Sequence, residues 1–196
     1  VYNGLNHPYK RQPVDLARAN LQRAGLPLPT GFLLHIGGGQ WYKNSAGVLS
    51  LYSQYVARRS AEGRPVLPLW MVSPAPDSRL QSLIDEIPAA GSVRFFQRLE
   101  TDTIEALYSL AAALIFPSIA EGFGWPIAEG LACGCPVLTT GEPPMNEVGG
   151  PHAHYLPRLP DRDGQAAWAI QGAEMICQLL DRPEPERESS AKAGID

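Results

Sequence analysis

The sequence predicts an α/β domain in three layers, with helices on both faces of a mostly parallel sheet of six strands. Three observations lead there. Short apolar runs alternate with longer segments of helical period, as crossovers between parallel strands require. The 196 residues are 44% hydrophobic, which gives one domain material for a substantial core. Glycine-rich turns follow two of the apolar runs, at Gly37–Gly39 and Gly122–Gly124, and open sheets bind ligands at such turns.

The elements follow in order. Residues 31–37 make the first strand through Phe32, Leu33, Leu34 and Ile36. Residues 45–62 read as a helix, with Val48, Leu49, Leu51, Tyr52, Tyr55 and Val56 at helical spacing. Val66 to Val72 is an apolar run interrupted by Pro68, which argues against a central place in the sheet. Asp77 is placed to cap a short helix ending near Pro88. A strand at 92–96, a helix at 101–111, a strand at 112–116, a helix at 125–132 and a strand at 136–140 come next. Residues 152–156 supply the sixth strand. Residues 161–180 form the last helix, supported by Ala166, Trp168, Ile170, Met175, Ile176, Leu179 and Leu180. The domain is expected to span residues 1–182, and the Pro-, Glu- and Ser-rich tail 183–196 to be disordered.

Composition excludes several classes. A net charge of −4 argues against general nucleic-acid binding, which needs a basic surface. No apolar run is long enough for a membrane span, and no signal-peptide pattern is present. Three cysteines give no disulfide framework, so a cytoplasmic setting is expected. The chain begins at Val1 without methionine and reads as an excised fragment.

The chemistry concentrates between Pro117 and Gly130. Glu121 sits in the loop after the strand 112–116, and Glu129 follows eight positions later, about a turn inside the next helix. Pro126 suits that helix's first turn, where its missing N–H costs nothing. The backbone amides of Phe123 to Ile127, with the helix dipole behind them, suit a phosphate. Carboxylates on either side can grip hydroxyls. Such a loop matches a nucleotide-sugar.

The stretch resembles the Glu-x7-Glu signature of retaining GT-B glycosyltransferases, family 4 in particular. Further segments fall in that family's order: Val1–Asn6, Ile36–Gly39 through Lys43–Asn44, Val93–Phe96, Ile104–Tyr108, Ala132–Val137 and Glu147–Gly149. The resemblance implies a Rossmann-like domain, the C-terminal half of a GT-B fold, whose N-terminal acceptor domain is absent from this chain. It implies retaining transfer of a hexosyl group from a UDP-, GDP- or ADP-linked sugar to a hydroxyl. The acceptor, a sugar or lipid-linked glycan, would be held by the missing half, in polysaccharide or glycoconjugate synthesis. The parent enzyme would be cytoplasmic, with peripheral attachment at the inner membrane face left open.

By the same resemblance Glu129 binds the ribose and Glu121 faces the transferred sugar. Gly122, Phe123, Gly124 and Trp125 bind sugar hydroxyls and the distal phosphate. Gly38 and Gly39 let the donor approach, Lys43 reaches its diphosphate as a mobile charge, and Arg98 and Leu99 contact the base. Glu121 and Lys43 carry the catalytic assignment. No cofactor or metal is expected.

One position departs from the family. The arginine usual five residues before the lysine is replaced by Gly38, so a cation is missing unless Arg98 or the other half supplies it. A sucrose- or glycogen-synthase-like enzyme and a non-catalytic sugar-nucleotide binder would share the pattern, and a related epimerase would lack the second Glu in its ribose role. A dinucleotide-binding domain does not fit: Tyr42 stands where the third glycine belongs, and Met71–Pro74 carries no acid for a ribose. Asp161-Arg162-Asp163 spells a metal-binding triplet but precedes a helical pattern, so capping explains it. His152 and His154 would share a strand face, and His35 reads as a core histidine. Cys133 and Cys135 read as small packed residues at a helix end.

Overall fold

The computed structural model describes residues 7–28 and 30–183. The opening segment Val1–Asn6 and the tail 184–196 lie outside the described residues.

Six strands form one sheet: β1 Leu33–Ile36, β2 Leu69–Val72, β3 Val93–Phe96, β4 Ala113–Phe116, β5 Val137–Thr140 and β6 His154–Leu156. Their order is β3-β2-β1-β4-β5-β6, and every pairing is parallel. The helices are α1 Val14–Arg23, α2 Ser45–Ala61, α3 Ser78–Asp85, α4 Thr101–Leu110, α5 Trp125–Ala132, α6 Met145–Gly149 and α7 Gln165–Leu180.

Strand alternation sorts the apolar side chains into two cores. Leu34, Trp70, Leu114, Phe116 and Val137 pack with Leu21 of α1, Leu107 and Tyr108 of α4 and Ile127 of α5. Leu33, Leu69, Met71, Ile115 and Leu138 pack with Leu49, Leu51, Tyr52 and Tyr55 of α2 and with Trp168 and Ile176 of α7. Both faces of the sheet are therefore covered, which is why its strands read as continuous apolar runs.

β2 is internal, contrary to the expectation raised by Pro68. The proline stands one residue before the strand, so it removes no ladder bond, and its carbonyl accepts the Leu33 amide at 2.9 Å. Two tyrosines of α2 complete this end of the sheet. The Tyr55 hydroxyl accepts the Leu67 amide at 3.0 Å, and the Tyr52 hydroxyl accepts the Ser92 amide at 2.9 Å.

The sequence reading missed two helices. The inward face of α1 includes Asn20, buried and bonded to Gln12 at 3.0 Å, while Val14 and Leu16 point outward. This arrangement inverts the usual pattern. Helix α6 has five residues, too few to show a period.

Two further expectations are corrected. Gly164, in left-handed conformation at φ 98°, is the N-cap of α7, and no side chain caps the helix. Asp161 and Asp163 lie upstream of the first helical bond, which runs from the Trp168 amide to the Gly164 carbonyl at 2.9 Å. His152 falls in a 3-10 turn, because β6 begins at His154; the two histidines do not share a strand face.

Chain order reverses direction across the sheet between β1 and β4. The loops leaving these two strands face each other at the switch point, where a crevice opens in folds of this kind.

Helices α2 and α7 run close together because Gly172 has no side chain; a Cβ there would collide with Leu51 Cδ2, itself fully buried. Gly172→Ala should lower stability by about 1–3 kcal/mol through overpacking, measured by urea unfolding.

Candidate functional site

The loop after β1 is shaped by its neighbours. Gly39 has φ 82°, and a Cβ there would lie 2.8 Å from Pro74 Cγ, so both conformation and space require glycine. A 3-10 turn at Trp41–Lys43 leads to Asn44, which starts α2 with φ 58°. The Asn44 side chain accepts the Gly47 amide at 3.1 Å and donates to the Pro117 carbonyl at 3.0 Å. The Ile119 amide donates to the Tyr42 carbonyl at 2.8 Å. These two bonds join the loops across the switch point.

Their junction brings Lys43 against Glu121. The ammonium donates to both carboxylate oxygens at 2.8 Å, with the side chains only 14% and 6% exposed. Ser118 Oγ donates to the same carboxylate at 2.5 Å. Thr140 Oγ1 in turn donates to the Ser118 carbonyl at 2.7 Å, which anchors the turn to β5. The Lys43 nitrogen also stands 5.1 Å from the centre of the Phe116 ring. The lysine expected to be mobile is therefore fixed by a carboxylate and an aromatic ring.

Beneath this pair lies His35, fully buried, its Nδ1 2.9 Å from the Ile115 carbonyl. Burial depresses its pKa to about 4, aided by the charge of Lys43, so the ring is neutral. It is a core histidine.

Helix α5 begins at Gly124, whose φ of 96° only glycine adopts readily. The Ile127 amide donates back to the Gly124 carbonyl at 2.9 Å and Pro126 has no N–H. The expected run of free amides through Ile127 therefore shortens to Phe123, Gly124 and Trp125. The rings of Phe123 and Trp125 lie 4.6 Å apart and are half-buried beside this turn. Gly122 is exposed, with open space where a side chain would stand.

Glu129 lies on α5 one turn further on, half-buried. It accepts a hydrogen bond from Tyr108 Oη at 2.8 Å. Burial raises its pKa, and the Tyr108 bond and the charges of His7 and Lys43 oppose that rise.

The residues singled out by sequence divide into two groups. Gly38, Gly39, Lys43, Glu121 to Trp125 and Glu129 gather on the β1, β4 and α5 loops. Arg98 and Leu99 stand after the edge strand β3, two strands from β1. Arg98 is exposed with a left-handed φ of 54°, whereas Leu99 packs against the core. At Gly38 a Cβ would come within 2.7 Å of Gln40 Oε1, so the Gln40 side chain lies where a residue larger than glycine would begin. Ser118, Asn44 and Tyr108 all fall in segments that carry the family resemblance, but no role was assigned to any of them from sequence. Cys133 and Cys135 are buried at the end of α5. Among the described residues, no group of three or more His, Cys, Asp or Glu side chains is placed to hold a metal ion. No described helix is long and apolar enough to cross a membrane.

Comparison with known proteins adds independent findings. The family model described as "Glycosyl transferases group 1" matches residues 19–164. The O-antigen chain mannosyltransferase RfbU of Salmonella typhimurium is 31% identical over 105 residues, covering 53% of this chain and 29% of the relative. The crystal structure of WaaG, a glycosyltransferase involved in lipopolysaccharide biosynthesis, superposes with a TM-score of 0.71 at 16% identity, covering 98% of this chain and 49% of that one. The C-terminal domain of a glycosyl transferase group 1 family protein (LpcC) from Francisella tularensis superposes with a TM-score of 0.65 at 16% identity, covering 96% and 93%. The chain spans under half the length of the curated relatives it matches.

The buried pair is the site's most sensitive point. Lys43→Met should cost about 3 kcal/mol of stability, because it strands a buried carboxylate. Lys43→Met with Glu121→Leu should return to within about 1 kcal/mol of the parent. A double-mutant cycle in urea measures both.

Proposed function

The chain belongs to the glycosyl transferases group 1, with the fold of a GT-B C-terminal domain, and on that premise we propose that it binds the donor in retaining transfer of a hexosyl group from a nucleotide-sugar. The observation that carries this reading is the grouping of Lys43, Glu121, the first amides of α5 and Glu129 at the switch point. A nucleoside diphosphate-sugar needs a cation and amides for its phosphates, a carboxylate for its ribose and another for its sugar. In this reading Glu129 accepts the ribose hydroxyls, and Lys43 with the amides of Phe123 to Trp125 takes the diphosphate. Glu121 takes a ring hydroxyl of the sugar. No metal is called for, because the phosphates meet the lysine and the α5 dipole.

Glu121 acts by position and charge rather than as a nucleophile. Three hydrogen bonds to its carboxylate restrain it, which suits a group that orients the anomeric carbon. When a diphosphate draws on Lys43, those bonds are redistributed and the carboxylate turns to the sugar. The name of the Salmonella relative favours a mannosyl donor and a polysaccharide product. The acceptor would be held by a second domain outside this chain, and the whole enzyme would work on the cytoplasmic side, with family 4 as its nearest grouping.

A thermal-shift panel tests the reading. UDP, GDP and ADP and their glucose, mannose and N-acetylglucosamine conjugates are each added to the chain and to Glu129→Ala. One base should raise Tm by about 5–10 °C at a hundredfold excess over Kd, and the shift should vanish in the variant. An equal shift in Glu129→Ala, or no shift with any ligand at millimolar concentration, would count against it.

A further inference from the structure

We propose that Tyr108 is a positioning residue for nucleotide capture, holding one oxygen of Glu129 so that the carboxylate's other oxygen meets the ribose. The proposal rests on the reading of Glu129 as the ribose acceptor. Tyr108 lies on α4, 21 positions from Glu129, and makes no part of any glycine turn. It is fully buried. A buried phenol needs a partner for its hydroxyl, and here the partner is Glu129 Oε2 at 2.8 Å.

The surroundings leave the tyrosine no other place. Its ring meets Tyr9 edge-on, with centroids 6.1 Å apart at 81°, and Tyr9 in turn meets His7 at 5.1 Å. Gly130, next to Glu129, lets α5 lie close to the sheet, since a Cβ there would lie 3.3 Å from Leu114 Cδ2, and the Tyr108 ring packs beside it at contact distance. The Tyr9 ring and helix α5 thus fix the hydroxyl, and the hydroxyl fixes one oxygen of the carboxylate. Among the described residues the other oxygen has no hydrogen-bond partner.

Charge follows the same geometry. Burial favours the protonated form of Glu129, and the Tyr108 bond favours the ionised form. The Tyr108 phenol is itself held well above its ordinary range, by burial and then by the carboxylate's charge, so it always donates. The other groups that face Glu129 are His7 and Tyr9 from the stretch before α1, Lys43 from the turn after β1 and Cys133 at the end of its own helix. With one oxygen engaged by Tyr108, the other oxygen of the ionised carboxylate keeps two lone pairs for the two ribose hydroxyls, and a proton on that oxygen takes one of them away. Removing the phenol hydroxyl raises the pH at which Glu129 loses its charge, so binding should fail earlier as pH drops.

Tyr108→Phe keeps the ring and removes the hydroxyl. Calorimetric titration with UDP, GDP and ADP from pH 5 to 8 compares it with the parent chain and with Glu129→Gln. For the nucleotide that binds, Tyr108→Phe should bind about threefold more weakly than the parent at pH 8, where only the orientation is lost, and about tenfold more weakly at pH 5, where the charge is lost as well. A 13C NMR titration of the Glu129 carboxyl, assigned through Glu129→Gln, reads its midpoint without ligand and should show it raised in Tyr108→Phe. An unchanged midpoint, a loss of affinity equal at every pH, or a variant that does not fold would overturn the proposal while leaving the ribose reading intact. Parent-like binding by Glu129→Gln, or no binding by the parent chain, would overturn the ribose reading, and the proposal with it.

Discussion

The contact on which the rest of the site depends is the bond between Lys43 and Glu121. Two charges almost out of water are costly, and their attraction compensates only where geometry is good and the spare lone pairs are satisfied. Both conditions hold: the ammonium reaches both oxygens at 2.8 Å, and Ser118 supplies a further donor. The pair joins the loop after β1 to the loop after β4, beside the Asn44–Pro117 and Ile119–Tyr42 bonds. The two backbone-directed bonds hold the lips of the crevice together, and the ion pair fixes the charged groups between them.

The second lip continues into α5, which divides its labour along its length. Its start needs Gly124 in a left-handed turn, so that the amides ahead of it are presented together. Its middle carries Glu129, and the next residue, Gly130, lets the helix lie close to β4. The two glycines serve different physical ends, turn geometry at Gly124 and close packing at Gly130. On the side facing α4, Glu129 meets the Tyr108 hydroxyl.

Much of this was legible in the sequence because it is contiguous. The inner strands showed as apolar runs, since a parallel sheet covered on both faces buries nearly every side chain of those strands. Glu121, the glycine turn and Glu129 fall within one stretch, and Lys43 stands directly after the other glycine turn. What was hidden depends on three-dimensional packing. Asn20 occupies a core position of α1 only because Gln12 satisfies it, so the helix lacked an apolar stripe. Pro68 misled because one residue of register decides whether a proline interrupts a ladder or precedes it. Tyr108 and Glu129 are brought together only by the packing of α4 on α5, and the left-handed backbone of Arg98 leaves no mark in composition.

The contact between Gly39 and Pro74 bears on how portable this site is. At Gly39 the glycine turn is hemmed by a proline on the neighbouring loop, after β2, as well as by the strand that carries it. Gly39 and Pro74 are 35 positions apart in sequence, so the turn's fit depends on a second segment. Transplanting the turn into a sister domain to alter ligand choice would therefore move only one of the two segments. A graft that carried Gly37–Asn44 together with Ser73–Ala75 would bring its own template along, and the recipient sheet would need only to supply strands at the right spacing.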